Sequence, residues 1–248
     1  MNERILVVDD EESIRFTFNA FLSDAGYHVE TAECLDTALQ IIGAHSFDAI
    51  FLDILLGRES GIKVLQASRE AHPNTPVIMV TGAPEVSTAA EAVRLGAFDY
   101  ITKPLHQDDL LRQAKLAVEH KQLVDQQEMY RLRMAAVFQS VNEGLMIFDE
   151  KMRLVEINDA ATRMLRCETS LVGLSPGEIS ACCPPLKTLQ ALIEERCEGE
   201  IFRVEADVKD GQSVAFGVTM APLTGHDQRE LGTVLVLRDE SQPARQVR

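Results

Sequence analysis

Apolar runs alternate with amphipathic segments over the first half of this chain, which has 248 residues. Four runs are nearly continuous and rich in β-branched side chains, and they lie over residues 4–8, 47–52, 76–80 and 98–102. This pattern is typical of strands that are covered on both faces of a parallel sheet. A fifth, shorter strand is predicted over 27–31, and helical periodicity separates the strands. The alternation predicts a doubly wound α/β domain.

A long helical segment follows the last of these strands. No glycine or proline occurs from residue 108 to 139, and good helix formers dominate. Steps of four and three residues define a mostly apolar seam, which consists of Leu116, His120, Leu123, Gln127, Tyr130, Met134, Val137 and Val141. Such a seam favours a coiled-coil linker that pairs two copies of the chain. A helix that lies on its own domain is the other interpretation.

The pattern changes after residue 140, where polar and apolar positions alternate. A hairpin is predicted from strands over 144–149 and 153–158, followed by a helix over 160–165. A further helix is predicted over 186–195, and three more strands lie over 201–208, 213–223 and 231–238. In the second of these strands apolar side chains occupy alternate positions, namely Val214, Phe216, Val218 and Met220. The segment therefore predicts a second, α+β domain with an antiparallel sheet that has one buried face.

Composition limits the classes of function. The net charge of −15 at pH 7 argues against direct nucleic-acid binding, because phosphate contacts need clustered Lys and Arg. No apolar stretch approaches the roughly 18 residues needed to span a bilayer, and the N-terminal residues lack a signal-peptide pattern. Five cysteines without a framework spacing fit a reducing compartment. We expect a cytoplasmic protein that binds neither membrane nor nucleic acid directly.

Polar side chains follow four of the predicted strands. Asp9 and Asp10 follow the first strand, and Asp53, Thr81 and Lys103 follow three others. Each alone has an ordinary explanation, such as a helix cap, but the carboxyl ends of parallel strands meet at one edge of a sheet. Three carboxylates there suit Mg²⁺, which prepares a carboxylate to accept a phosphoryl group. A lysine and a threonine hydroxyl would then contact the phosphoryl oxygens.

The motifs that carry these residues resemble those of two-component response-regulator receiver domains over about residues 3–121. They are Val8-Asp9-Asp10-Glu11, Leu52-Asp53 with Gly61 eight residues later, Val80-Thr81-Gly82 and Asp99-Tyr100-Ile101-Thr102-Lys103-Pro104. The resemblance implies a flavodoxin-like fold and phosphorylation of Asp53 by a sensor histidine kinase. It also implies an Mg²⁺ site whose ligands are Asp9, Asp10, Asp53 and the backbone carbonyl of Leu55.

The same resemblance implies a switch. Thr81 would move toward the phosphoryl group while Tyr100 turns inward, and the Lys103-Pro104 peptide bond would be cis. One position departs from the family pattern, since Gly57 stands where a proline is usual. We therefore expect a more flexible loop after Asp53.

Residues 131–241 resemble a PAS sensor domain. The resemblance rests on four segments, 144–149, 157–161, 171–173 and 232–239. Neither Cys182 nor Cys183 has the sequence context of a flavin-reactive cysteine. A haem site is also disfavoured, because His226, the only histidine of this segment, lies in a polar loop. The ligand of this domain is therefore unknown, and the expectation is an apolar pocket, either empty or occupied, with a dimer contact through the preceding helix. Redox sensing by the cysteine pair is the alternative.

These observations predict a phosphorelay protein with four parts. They are a receiver domain over 1–121, a helical linker over 108–139, a PAS domain over 131–241 and a tail over 242–248. The phosphorylation state would pass through the linker to a PAS dimer and regulate a transcription or kinase output, without catalysis beyond self-phosphotransfer and autodephosphorylation.

Other classes of function remain as alternatives. A phosphatase of the haloacid dehalogenase type would need a second aspartate where this chain has Leu55. A small-ligand or redox sensor with a degenerate receiver is another alternative. A nucleotide-binding domain is disfavoured because no Gly-x-Gly-x-x-Gly or Walker sequence follows a strand.

Overall fold

The computed structural model describes residues 3–165, 170–182, 201–208, 212–225 and 227–240. The chain divides after Tyr130 into two compact units. The predicted helix over 186–195, Cys183, His226 and the tail over 242–248 lie outside the described residues. No helix among the described residues is long and apolar enough to cross a membrane.

The first unit is built on a five-stranded parallel sheet, which confirms the predicted fold class. In chain order the strands are β1 (Arg4–Val8), β2 (His28–Ala32), β3 (Ala49–Asp53), the short β4 (Leu55–Leu56) and β5 (Glu59–Ser60), β6 (Val77–Thr81) and β7 (Asp99–Thr102). The helices are α1 (Glu12–Asp24), α2 (Leu35–Ala44), α3 (Ile62–Ala71), α4 (Val86–Arg94) and α5 (Gln107–Ser140). The sheet order is β2-β1-β3-β6-β7, with β4 and β5 as a separate hairpin.

Both faces of this sheet are covered, which explains the continuous apolar runs. Every residue of β3 and β6 is buried. Side chains of α2, α3 and α4 pack on one face, and those of α1 and α5 pack on the other. On the second face the rings of Phe18 and Phe51 meet edge to face, with their centroids 5.9 Å apart. The alternating sides of each strand therefore feed two hydrophobic cores, and the strand ends are held in register.

Helix α5 packs on the first unit at its start, and most of its predicted seam is exposed further along. Its first turns lie on the first unit, where Leu110, Ala114, Ala117 and Val118 are buried. Most of the seam is exposed, namely Leu116, Leu123, Tyr130, Met134 and Val137. His120 differs, because its ring lies 5.1 Å from the ring of Phe98 in the same unit. Val141 lies beyond the end of the helix.

The second unit contains a five-stranded antiparallel sheet, as predicted, in the order β10-β11-β12-β8-β9. Its elements are β8 (Gly144–Asp149), β9 (Leu154–Ile157), α6 (Asp159–Leu165), α7 (Pro176–Cys182), β10 (Phe202–Val208), β11 (Gln212–Thr224) and β12 (Glu230–Asp239). One face is buried, with Phe216, Val218 and Met220 of β11 in its core. The side chains of Val214 and Cys182 are outside the described set.

Helix α7 is an element that the sequence pattern did not predict. Ser175 precedes it, and the Glu178 carboxylate accepts hydrogen bonds at 2.8 Å from both the backbone N–H and the hydroxyl of Ser175. The Glu178 backbone N–H lies 3.4 Å from the Ser175 hydroxyl, which completes a capping box. Proline at the first helical position, Pro176, is a start signal of the same kind.

A buried asparagine fastens the end of α5 within the second unit. The Asn158 side chain is fully buried. Its amide nitrogen donates to the carbonyls of Phe138 at 3.1 Å and Glu143 at 2.9 Å. Its oxygen accepts from the N–H groups of Leu145 and Ala161, both at 2.9 Å. One side chain thus joins the last turn of α5, the start of β8 and the first turn of α6.

Candidate functional site

The parallel sheet brings the predicted polar residues to one edge. Asp9 and Asp10 follow β1, Asp53 ends β3, Thr81 ends β6 and Lys103 follows β7. These four strands are neighbours in the sheet. The site therefore arises because a polar residue ends or directly follows each of these four strands at the same edge of the sheet.

Three carboxylates form a group that could hold a metal ion. One ligand oxygen from each of Asp9, Asp10 and Asp53 lies within 4.8 Å of the other two. Asp9 and Asp53 are buried, whereas Asp10 is exposed. Oxygen ligands of this kind are what Mg²⁺ prefers in proteins, so the residues present fit that ion.

Backbone N–H groups fix the orientation of all three carboxylates. The Glu11 N–H donates to Asp9 Oδ1 at 2.9 Å. The Leu55 N–H donates to Asp53 Oδ1 at 3.1 Å, and the Gly57 N–H donates to Asp10 Oδ2 at 3.0 Å. The backbone of Leu55, the predicted carbonyl ligand, therefore lies beside Asp53.

Lys103 links the two buried carboxylates. Its Nζ lies 2.6 Å from Asp53 Oδ2 and 2.7 Å from Asp9 Oδ2, while Glu11 Oε1 is 3.4 Å away. The lysine side chain is only 11% exposed, and the side chains of Asp9 and Asp53 are 3% and 8% exposed. The Lys103-Pro104 peptide bond is cis, as the resemblance implies. A positive charge therefore already stands between the two buried acids.

Burial and pairing act in opposite directions on these groups. Burial raises the pKa of Asp9 above 3.8, and the hydrogen bond from Lys103 offsets this only in part. Burial alone would lower the pKa of Lys103. The hydrogen bonds to Asp53 and Asp9 outweigh that effect and raise the pKa of Lys103 above its usual value. The lysine is therefore fully charged at neutral pH.

The predicted switch residues lie on the neighbouring strands β6 and β7, and a third residue contacts one of them. Thr81 is buried, and its hydroxyl oxygen accepts a hydrogen bond from the Ala83 N–H at 3.2 Å. The Tyr100 hydroxyl lies 3.3 Å from the Thr88 hydroxyl on α4. Sequence reasoning missed Thr88, because neither spacing nor residue type marks a half-buried helical threonine as a partner of Tyr100.

A short hairpin that the sequence pattern did not predict follows Asp53. Leu55 pairs with Ser60 and Leu56 pairs with Glu59, while the greater flexibility expected at Gly57 stays a prediction. Gly57 stands at its turn with a φ of +63°. Gly61 closes the segment against Asp53, since a Cβ at that position would lie 2.0 Å from the Asp53 carbonyl oxygen. The two glycines of this segment thus have different roles, one in the turn and one in the close approach to Asp53.

Comparison with protein families defines the class of both units. Residues 5–115 match the model of the response regulator receiver domain, and residues 132–201 match that of the PAS domain. The chain therefore contains a response regulator receiver domain followed by a PAS domain.

Similar proteins include two named transcriptional regulators. The transcriptional regulatory protein DltR of Streptococcus agalactiae serotype III is 40% identical over 121 residues, which cover 49% of this chain and 54% of that protein. The alginate biosynthesis transcriptional regulatory protein AlgB of Pseudomonas putida is 30% identical over 236 residues, which cover 93% of this chain and 50% of AlgB. The chain thus spans about half the length of the curated relatives it matches.

A solved structure also resembles part of the chain. The receiver domain protein from Methanospirillum hungatei JF-1 shares 30% identity with a TM-score of 0.48, and the match covers 49% of this chain and 98% of that chain.

Proposed function

We propose that Asp53 accepts a phosphoryl group from a sensor histidine kinase. The supporting observation is that Asp9, Asp10 and Asp53 offer ligand oxygens within 4.8 Å of one another. With the Leu55 carbonyl they would hold Mg²⁺, which would supply positive charge to the attacking and transferred oxygens. Two-component phosphotransfer is thus the function that the site supports best.

The residues of the chain have separate roles in this transfer. A carboxylate oxygen of Asp53 attacks phosphorus, and the bond from phosphorus to the donor histidine nitrogen breaks with its electron pair left on the imidazole. Lys103 Nζ, already 2.6 Å from Asp53, pairs with an oxygen of the transferred group. The Thr81 hydroxyl donates to another oxygen. Asp9 and Asp10 do not react but hold the cation.

Phosphoryl transfer from acetyl phosphate tests this proposal. The wild-type chain should become labelled in the presence of Mg²⁺, and Asp53→Asn should lose the label completely because an amide oxygen does not form the acyl phosphate. Asp36→Asn, the same chemical change at an exposed residue of α2, should label like the wild type. Equal labelling of Asp53→Asn and wild type would contradict the proposal.

The phosphatase alternative is disfavoured by the same segment. The residue two positions after Asp53 is Leu55, which belongs to the hairpin and carries no acid or base. Hydrolysis of external substrates needs a group that donates a proton to the leaving oxygen. We propose that the chain has no such turnover beyond hydrolysis of its own aspartyl phosphate.

We propose further that the phosphorylated state reaches the second unit through α5. Phosphorylation adds about −1.5 to −2 charges at Asp53. Movement of Thr81 toward this charge would let Tyr100 turn inward, which breaks the contact between Tyr100 and Thr88. The exposed seam of α5 would then change its pairing in a homodimer formed by the linker and the PAS domain.

Disulfide trapping along α5 tests the linker proposal. Leu123→Cys and Tyr130→Cys should each crosslink two copies, at rates that change several-fold when beryllium fluoride mimics the phosphoryl group. Leu132→Cys is the matched control, because Leu132 is also exposed but lies about 200° around the helix from Tyr130. The wild type gives the background from native cysteines. Identical rates with and without the mimic would contradict the role of the linker.

The process that this chain would regulate is inferred from its relatives rather than from its own residues. DltR and AlgB are named transcriptional regulatory proteins, and this chain covers about half of each. We propose that it regulates transcription in the cytoplasm without contacting nucleic acid, since its net charge is −15. Apolar side chains form the described core of the second unit, and we propose that this domain dimerises without requiring a ligand.

A further inference from the structure

Gly57 makes a contact that connects the hairpin after Asp53 to the metal-binding carboxylates. Its backbone N–H donates to Asp10 Oδ2 at 3.0 Å, across 47 positions of the sequence. Asp9 and Asp53 are also held by Lys103, but Asp10 is not among the residues that pair with that lysine. Within the described residues, the Gly57 N–H is the hydrogen-bond donor that orients the Asp10 carboxylate.

The backbone conformation of Gly57 determines where this N–H points. The turn between β4 and β5 has two residues, Gly57 and Arg58, and only the first has a positive φ, of +63°. Two-residue hairpin turns need such a conformation, which glycine and asparagine adopt most readily. Proline is excluded twice, because its φ is fixed near −65° and it has no N–H. Residue type at position 57 therefore decides whether Asp10 has this donor.

We propose that Gly57 is a positioning residue for the cation site, holding Asp10 Oδ2 so that the other oxygen of that carboxylate faces Mg²⁺. This rests on the proposed function, in which Asp10 is a ligand. Partners that orient a metal ligand are typically worth about 10- to 100-fold in affinity. Asp10 and Gly57 are both exposed, so we expect the lower end of that range.

Calorimetric titration of the unphosphorylated chain with Mg²⁺ alone tests the proposal. Gly57→Pro should weaken Mg²⁺ binding about tenfold, because it removes the donor. Gly57→Asn is the matched control, since asparagine keeps the N–H and accepts a positive φ, and its affinity should stay within about twofold of wild type. Equal affinities of Gly57→Pro and wild type would overturn the proposal.

A double-mutant cycle separates positioning of Asp10 from general damage to the hairpin. If Gly57 acts through Asp10, Gly57→Pro should have no further effect on Mg²⁺ affinity in an Asp10→Ala background. A full tenfold effect that persists in this background would overturn the proposal.

The amide of Gly57 gives a readout that needs no change at position 57. Its hydrogen exchange should accelerate several-fold in Asp10→Ala, and an unchanged rate would contradict the contact.

These titrations are independent of phosphoryl transfer. A chain that binds Mg²⁺ in a Gly57-dependent way but takes no label at Asp53 would overturn the proposed function and leave the role of Gly57 standing. A chain that is labelled at Asp53, but whose Mg²⁺ affinity does not depend on residue 57, would overturn the role of Gly57 and leave the proposed function standing.

Discussion

Replacing Lys103 with methionine is expected to lower the free energy of unfolding of the first unit by about 3 kcal/mol at pH 7, because it leaves two buried carboxylates without their cation. The ammonium lies 2.6 Å from Asp53 and 2.7 Å from Asp9, and methionine keeps much of the side-chain volume. Hydrogen exchange of the buried strands β3 and β6 measures this loss. Lys115→Met is the control, since its pair with Glu119 is exposed and should contribute less than about 1 kcal/mol.

The Lys103 variant should also respond to Mg²⁺ and to pH. A bound cation would replace the missing charge, so Mg²⁺ should restore more stability to Lys103→Met than it adds to the wild type. The folded-state pKa of Asp9 lies above 3.8 and should rise further without the lysine. A raised pKa of Asp9 stabilises the folded state below pH 3.8, and this stabilisation is lost as pH rises through the folded-state pKa. The stability that Lys103→Met loses should therefore become smaller on acidification. If Lys103→Met loses less than about 1 kcal/mol of unfolding free energy, and neither Mg²⁺ nor pH changes that loss, the role given to Lys103 is contradicted.

The wild type should show the complementary dependence at alkaline pH. Because the pKa of Lys103 is raised above 10.5 in the folded state, its stabilising contribution is complete below pH 10.5 and falls as pH rises beyond that value. Lys103→Met should lack this decline.

Replacing Asn158 with alanine is expected to lower the free energy of unfolding of the second unit by about 4 kcal/mol, since a fully buried side chain and its four hydrogen bonds are lost. The change leaves the N–H groups of Leu145 and Ala161 and the carbonyls of Phe138 and Glu143 without this partner. Buried polar groups without partners cost roughly 1–3 kcal/mol each, and neighbouring losses do not add fully. Hydrogen exchange of β8 and β12 amides measures the effect.

A matched variant isolates the buried network from the surface contacts near it. Gln139→Ala removes an exposed hydrogen bond, in which Gln139 Oε1 accepts from the Asp159 N–H at 2.8 Å. It should cost less than about 1 kcal/mol, because water replaces the lost partner. Equal losses in Gln139→Ala and Asn158→Ala would show that the Asn158 network contributes little.

The parallel sheet and the positions of its polar residues were predictable from sequence for a physical reason. Strands covered on both faces need continuous apolar runs, as in β3 and β6, and this pattern locates their carboxyl ends within a residue. Since parallel strands end at a common edge, the sequence alone predicts that Asp53 and Thr81 lie close together.

Other features depend on tertiary contacts that leave no periodic signal. Strands of two residues, such as β4 and β5, are too short to show alternation, so Gly57 suggested flexibility rather than a hairpin turn. The contact between Thr88 and Tyr100 joins residues of different elements. His120 fits the seam spacing of α5, yet its ring packs on Phe98 of the first unit. Spacing defines a face of a helix but not what covers it.

Chemical mapping of the phosphoryl group tests the central proposal most directly. After reaction with acetyl phosphate and Mg²⁺, borohydride reduces an aspartyl phosphate to homoserine, which mass spectrometry locates in the sequence. The account predicts homoserine at position 53 in the wild type, and none in Asp53→Asn or without Mg²⁺. Homoserine at another position, or phosphoryl label that persists in Asp53→Asn, would contradict the assignment of Asp53 as the phosphoryl acceptor.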